Sequence, residues 1–154
     1  MFIKYLSYII EHKIFVFIEG RKLGLGVFQL LKHDLSKFSR FEFNQYKKKF
    51  FGSEKCSKSE KQKIKNDFDL AWLHHQHKNK HHWQYWLQIS GKTIMAYEMP
   101  KKYALEMIAD WNAMSRKFQD KNNIKKSTRE WYRKKTDIIL HKNTLAFVEN
   151  MLEK

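Results

Sequence analysis

A mostly α, single-domain helical bundle with one small β-hairpin is predicted over residues 1–154, and three features predict it. Only 5 Gly and 1 Pro interrupt the 154 residues, a scarcity that favours long helices over many turn-bounded strands. The chain is 42% hydrophobic and 16% aromatic, which supplies the apolar surface needed to offset the entropy of ordering. Its length suits a single hydrophobic core.

The first helix is expected over residues 2–18, whose side chains are apolar almost all round, as in a helix buried within a bundle. Glu11, His12 and Lys13 divide it into Tyr5–Ile10 and Ile14–Ile18. Neither run approaches the roughly 20 residues that span a bilayer. A basic leader with a small-residue cleavage site is also missing, so no membrane contact and a cytoplasmic location are expected. The single Cys56 lies in the Lys/Ser-rich stretch Gly52–Lys61. It excludes an internal disulfide and fits a reducing compartment.

Gly20, Gly24 and Gly26 mark a turn or a close helix approach, since their spacing fits neither nucleotide-binding fingerprint. A second helix is expected from about Leu23 or Leu25 to Leu35. Ser39 with Glu42 reads as a capping box opening a third helix that ends near Phe51. Ser57 with Glu60 reads as another, opening a long helix through Phe68, Ala71 and Trp72 toward His77. Tyr85–Ile89 and Thr93–Tyr97 flank Ser90-Gly91-Lys92 as a short hairpin. Pro100 suits the first turn of a helix through Tyr103, Met107, Ile108 and Trp111. Ser127 with Glu130 reads as a third capping box for a C-terminal helical region. Its apolar face is Leu140, Leu145, Phe147, Val148, Met151 and Leu152.

The net charge of +15, from 31 Lys+Arg against 16 Asp+Glu, is compatible with a nucleic-acid partner. Only Arg21, Arg40, Arg116, Arg129 and Arg133 are arginines, leaving 31 − 5 = 26 lysines. Arginine is the usual choice for bidentate phosphate contacts, so the charge argues only weakly for an anionic ligand.

Chemistry gathers at the histidines. Five of the eight fall within nine residues: His74, His75, His77, His81 and His82. On one continuous helix His74, His77 and His81 share a face to within about one-sixth of a turn, and His75 and His82 share the adjoining one. Asn79-Lys80 can also end the helix and leave His81-His82 on a loop. For any single histidine, packing beside Trp72, Trp83 or Trp86 is the commoner role. For the cluster with an acidic partner, a metal is expected, and imidazole with carboxylate suits Zn, Mn, Fe, Co or Ni.

The acidic partner lies in Lys32-His33-Asp34-Leu35-Ser36-Lys37. This run resembles the signature of the HD-domain superfamily of metal-dependent phosphohydrolases, and the resemblance covers roughly Tyr5 to Trp111. It implies an HD-domain-like helical bundle in which an early His, the His-Asp pair, further histidines and a late Asp converge on one or two divalent transition metals. The residues standing in that order are His12, His33, Asp34, His77, His81, His82 and Asp110. Asp137 is an alternative late carboxylate, and Asp69 is placed to support a ligand. A second resemblance is to a family of bacterial and phage proteins with no assigned activity. It is carried by HDLSKF at 33–38, AWLHHQHKNKHHWQYW at 71–86 and MPKKYALEMIADW at 99–111.

The activity implied by the HD resemblance is hydrolysis of a phosphomonoester or phosphodiester, with a nucleotide or another phosphorylated small molecule as substrate. Asp34 would hold metal and orient or deprotonate a water. Lys37, one turn on, would face the phosphoryl oxygens, with a second cation from Lys78, Lys80 or Arg21. Trp72, Trp83, Tyr85, Trp86 and Trp111 offer stacking surface for a base, although such a set is more often core. The competing reading is a non-enzymatic, basic nucleic-acid-binding or phage accessory protein with a structural metal or none.

Overall fold

A computed structural model describes residues 1–118 and 123–153. In chain order the described residues form α1 (Phe2–Lys22), α2 (Val27–Lys32), a 3-10 turn (Leu35–Phe38), α3 (Arg40–Phe51) and α4 (Lys58–Lys78). A second 3-10 turn (Trp83–Trp86) leads into β1 (Leu87–Ser90) and β2 (Thr93–Ala96), followed by α5 (Lys101–Phe118), α6 (Ile124–Arg133) and α7 (Lys142–Glu153). The fold is mostly α. The strands pair antiparallel, Leu87 opposite Ala96 and Ser90 opposite Thr93, around a two-residue turn in which Gly91 takes φ +61°, as tight hairpins require. No helix of the described residues is long and apolar enough to cross a membrane.

Helix α1 buries one stripe: Tyr5, Ile9, His12, Val16, Glu19 and Gly20. These positions recur every three or four residues, so they face the same way along the helix. The stripe packs mainly on α5, and α3 packs on α4. Ala109 and Ala113, one turn apart on α5, are fully buried in the cluster that holds Val16, and their small side chains let the helices approach. Tyr5 and Ile9 belong to a second cluster with Phe43, Tyr46 and Ala71 from α3 and α4. The C-terminal cluster joins Met107 and Ile108 to Val148 and Leu152. His12 therefore sits between two apolar regions, at a place where the core turns polar.

Several local expectations need correction. The second helix stops at Lys32 rather than Leu35, because His33 and Asp34 leave helical geometry and Asp34 adopts φ +55°. Leu31 and Leu35 extend the apolar pattern in sequence but are exposed, so no buried face rewards a longer helix. Ser57 and Glu60 form a complete capping box. Ser39 accepts from the Glu42 N–H, but the Glu42 carboxylate turns inward instead of closing the box. The C-terminal helical region starts earlier than Ser127: Asn123 caps α6, and Ser127 is buried within it. Pro100 stands just before α5, its carbonyl accepting from Tyr103 and Ala104. Gly20 marks a close approach, since a Cβ there would meet Leu30 Cδ2 at 2.3 Å, and Gly24 turns the chain at φ +82°.

Candidate metal centre

The turn after α2 explains how two adjacent residues reach one centre. Successive side chains on a helix diverge by about 100°, so an unbroken helix would separate His33 from Asp34. The left-handed conformation of Asp34, which aspartate tolerates better than most residues, brings both inward. Lys13 from α1 donates to the carbonyls of Leu31 and His33, which ties down the end of α2 where this turn begins. Asp34 is fully buried, and the charged side chains paired with it are all basic.

Its Oδ1 lies 3.2 Å from His75 Nε2 and 3.4 Å from His81 Nε2, and its Oδ2 lies 3.4 Å from His33 Nε2 and 3.6 Å from His12 Nε2. Lys37 Nζ reaches Oδ2 at 2.6 Å. Across the centre, Asp110 Oδ1 is 3.1 Å from His12 Nε2, and Oδ2 is 3.9 Å from His81 Nε2. Five elements thus contribute: α1, the turn after α2, α4, the loop after α4, and α5.

Apart from these ion-pair contacts, the Nε2 of His12, His33, His75, His81 and His82, both Asp34 oxygens, and Asp110 Oδ1 are all buried with no hydrogen bond to satisfy them. Two disjoint groups have ligand atoms mutually within 4.8 Å, Asp34-His75-His81-His82 and His12-His33-Asp110. His33, His81 and Glu106 form a third, overlapping group. These buried clusters could hold a metal ion, because imidazole nitrogen and carboxylate oxygen are the donors such ions take.

The model of the family of unknown function DUF5662 matches residues 1–154. The chain belongs to that family. No curated protein and no solved structure matches it.

Two carboxylates outside the centre set the rings. Glu42, fully buried, accepts from His75 Nδ1 at 2.8 Å and from His74 Nδ1 at 2.7 Å, and Ser36 donates to it at 3.1 Å. Glu106 accepts from His33 Nδ1 at 2.9 Å and from Gln29 at 2.6 Å. A carboxylate bonded to Nδ1–H leaves Nε2 as the free lone pair of the neutral ring, the usual arrangement behind a metal-binding imidazole.

The electrostatics divide the site. Burial alone would lower the His33 imidazolium, but Asp34, Glu106 and Asp110 outweigh it and hold the group at about 9. Burial likewise opposes ionisation of Asp34, yet His33, Lys37 and His75 keep its carboxyl well below the usual range. Asp110 is held down by His12, His33 and His81 against the same desolvation. His81 and His82 are pushed down, by burial first and then by His33 and His81 respectively. Two anionic carboxylates and two readily neutral imidazoles thus share one buried space.

One cavity of about 400 Å³ opens onto this centre past His12, Lys37, His81, His82 and Asp110, with aromatic walls that include Trp72 and Trp111. Trp72 also stacks on His75, with ring centroids 5.6 Å apart. Trp83 lines the cavity, while Trp86 packs beside Tyr103 in the C-terminal core. A second opening of about 380 Å³ reaches His33, His81 and Glu106 from the other side and is rimmed by Lys32, Lys78, Lys80 and Lys102.

Of the residues singled out from sequence, His12, His33, Asp34, His81, His82 and Asp110 are brought together, with Lys37 beside them. His77 is not. It is exposed, two positions from the buried His75, because the face of α4 turned toward α3 is the one carrying Ala71 and His75. Arg21 is also displaced from the site: it is exposed at the end of α1 and donates to the Leu25 carbonyl at 2.7 Å. Lys78 and Lys80 rim the second opening rather than the cavity holding Lys37. Asp69 pairs with Lys65 on the surface, and Asp137 is exposed at the cavity wall. Sequence reasoning missed Glu42 and Glu106 as ring-setting residues and left His75 outside the favoured ligand set.

Proposed function

We propose that this protein is a metal-dependent phosphohydrolase acting on a phosphomonoester or phosphodiester, a nucleotide among the candidates. The observation that carries the reading is the convergence of five buried imidazole Nε2 atoms with the Asp34 and Asp110 oxygens, of which His12, His81, His82 and Asp110 line an open cavity. Such a set fits Mn, Fe, Co, Ni or Zn better than an all-oxygen ion. The two disjoint donor groups give room for one or two ions.

A bound divalent cation supplies an activated water and neutralises phosphoryl charge. The protein's own groups complete the chemistry. Asp34 and Asp110 are the carboxylates of the centre, and an oxygen of one of them is the place where a water proton is received, Asp110 being the one that lines the cavity. Lys37 Nζ offers N–H donors to the phosphoryl oxygens, where charge develops. Glu42 and Glu106 keep His75 and His33 in the ring orientation that leaves Nε2 inward.

The test is elemental analysis of the purified protein beside a His81→Ala/His82→Ala variant, followed by a phosphoester screen of the loaded wild type. Stoichiometric transition metal, lost in the variant, together with metal-dependent phosphate release, is the expected result. No metal after reconstitution with Mn, Fe, Co, Ni and Zn overturns the reading.

A further inference from the structure

Two phenols line the cavity and are not used by the chemistry proposed above. Tyr5 of α1 is 0% exposed and Tyr46 of α3 is 4% exposed, and both line the cavity that Lys37 and Asp110 also line. Their rings lie 6.3 Å apart, and the Tyr46 ring is 6.1 Å from that of His75. Neither hydroxyl has a hydrogen-bond partner.

A buried hydroxyl left unpaired costs roughly 1–3 kcal/mol, and phenylalanine would occupy the same space without that cost. Neighbouring positions of the same aromatic cluster are in fact filled by Phe43 and Phe68. Tyrosine at positions 5 and 46 therefore puts two O–H donors where packing alone needs none. Burial, reinforced by Glu42 and Asp34, pushes both phenols above their usual range, so each keeps its proton at any working pH.

We infer that the hydroxyls of Tyr5 and Tyr46, with Lys37, form an oxyanion subsite that takes the non-bridging oxygens of a phosphoryl group facing the metal centre. The assignment rests on the phosphohydrolase reading and deepens it. Lys37 supplies charge, and the two phenols supply fixed, neutral donors that need no reorganisation when the anion arrives. Neutral donors suit this place because further cations beside the metal centre would compete with the metal for Asp34. The subsite thus selects a tetrahedral oxyanion over a neutral ligand of similar size.

The probe is inorganic phosphate, titrated calorimetrically into Mn-loaded wild type, Tyr5→Phe, Tyr46→Phe and the double variant, with Mn content measured on every sample. Each single substitution is expected to weaken phosphate about tenfold and the pair about a hundredfold, with Mn content unchanged. Thermal stability should hold or rise, because a buried unpaired hydroxyl has been removed. Equal phosphate affinity in wild type and double variant, at equal metal content, overturns the subsite while leaving the metal centre standing. Reduced Tm with unchanged phosphate affinity shows the phenols to be structural and overturns it as well. A wild type that takes up no Mn or other metal removes the phosphohydrolase reading and this subsite together, and the elemental analysis separates that failure from the others.

Discussion

His75 stands between two carboxylates: its Nδ1 donates to Glu42 at 2.8 Å, and its Nε2 lies 3.2 Å from Asp34 Oδ1. One acid sets the ring, and the other meets it at the centre. All three residues are fully buried, so the ring has no solvent-facing alternative. The chain α3–Glu42–His75–Asp34 couples the packing of α3 on α4 to the geometry of the proposed metal site.

Replacing Glu42 with Gln keeps the shape and an acceptor for His75 but removes the charge. A charge-assisted hydrogen bond becomes an ordinary one, and the imidazole loses basicity toward a cation. Metal affinity, followed by competition with a chromophoric chelator, is expected to fall by about tenfold or more. An unchanged affinity would reduce Glu42 to a packing residue.

The phase of α4 gives a paired prediction. His75→Ala should remove metal from the Asp34-His75-His81-His82 group, whereas His77→Ala, on the exposed face, should leave stoichiometry and affinity as they are. Elemental analysis of both variants decides between the two faces. Metal lost from the His77 variant and kept by the His75 variant would reverse the assignment of the buried face.

How much of this was legible in the sequence follows from where each signal is stored. Helices open clearly where a short-range contact fixes them, as at Ser57 and Glu60, and the Gly91 hairpin turn is equally local. His33-Asp34 was legible as a pair, but its convergence depends on the left-handed φ of Asp34, which periodicity does not report. His74, His75 and His77 cover much of a helix circumference, so spacing alone cannot select the inward one. That selection is made by the packing of α4 on α3, through Ala71 and His75. Glu42 was hidden by a stronger local pattern: the capping motif accounted for it, and only the fold shows its carboxylate turned inward. Asp110 and His12 meet because α1 and α5 pack together, a long-range fact to which the HD resemblance gave the only pointer.

The metal-free protein should lose stability as pH rises from about 6.5 to about 9. His33 is held at about 9 in the folded state against about 6.5 when unfolded, and His75 is also raised. A raised histidine contributes stability that is complete below its unfolded value and is lost as pH climbs through the folded one. His81 and His82 are lowered, so their contribution is lost only on acidification and does not oppose the trend in this window. Scanning calorimetry of apo protein should show Tm falling by roughly 5 °C or more across the window. A flat profile would mean that the imidazoles are not charged by Asp34 and Glu106.

Gly20 tests the α1–α2 contact. Gly20→Ala places a methyl 2.3 Å from Leu30 Cδ2 and 3.3 Å from Leu25 Cδ1. Both leucines are buried, which limits their escape. A loss of roughly 1–3 kcal/mol is expected. Because Leu30→Ala opens the space, the double variant should lose less than the sum of the single variants. Strict additivity in urea denaturation would show that the two positions do not meet.

Lys37 separates catalysis from metal holding. Its ammonium pairs with Asp34 at 2.6 Å, so in the metal-free protein it neutralises the carboxylate that the centre needs anionic. A cation at Asp34 must displace or repel that ammonium. Removing it by Lys37→Ala should leave metal affinity unchanged or higher, since two positive charges no longer compete for one acid. The same substitution should lower turnover, because the phosphoryl oxygens lose a charged donor at the point where charge develops. A loss of about 10²–10³ in kcat is the usual scale for such a donor. If Lys37 acts only as a counter-ion for Asp34, the loaded variant should turn over as fast as wild type. If it contributes equally to ground-state binding, KM rises and kcat holds. Metal lost from the variant would instead make Lys37 a structural support of the Asp34 turn. Steady-state kinetics on metal-loaded protein, with metal content measured on the same samples, distinguishes these outcomes.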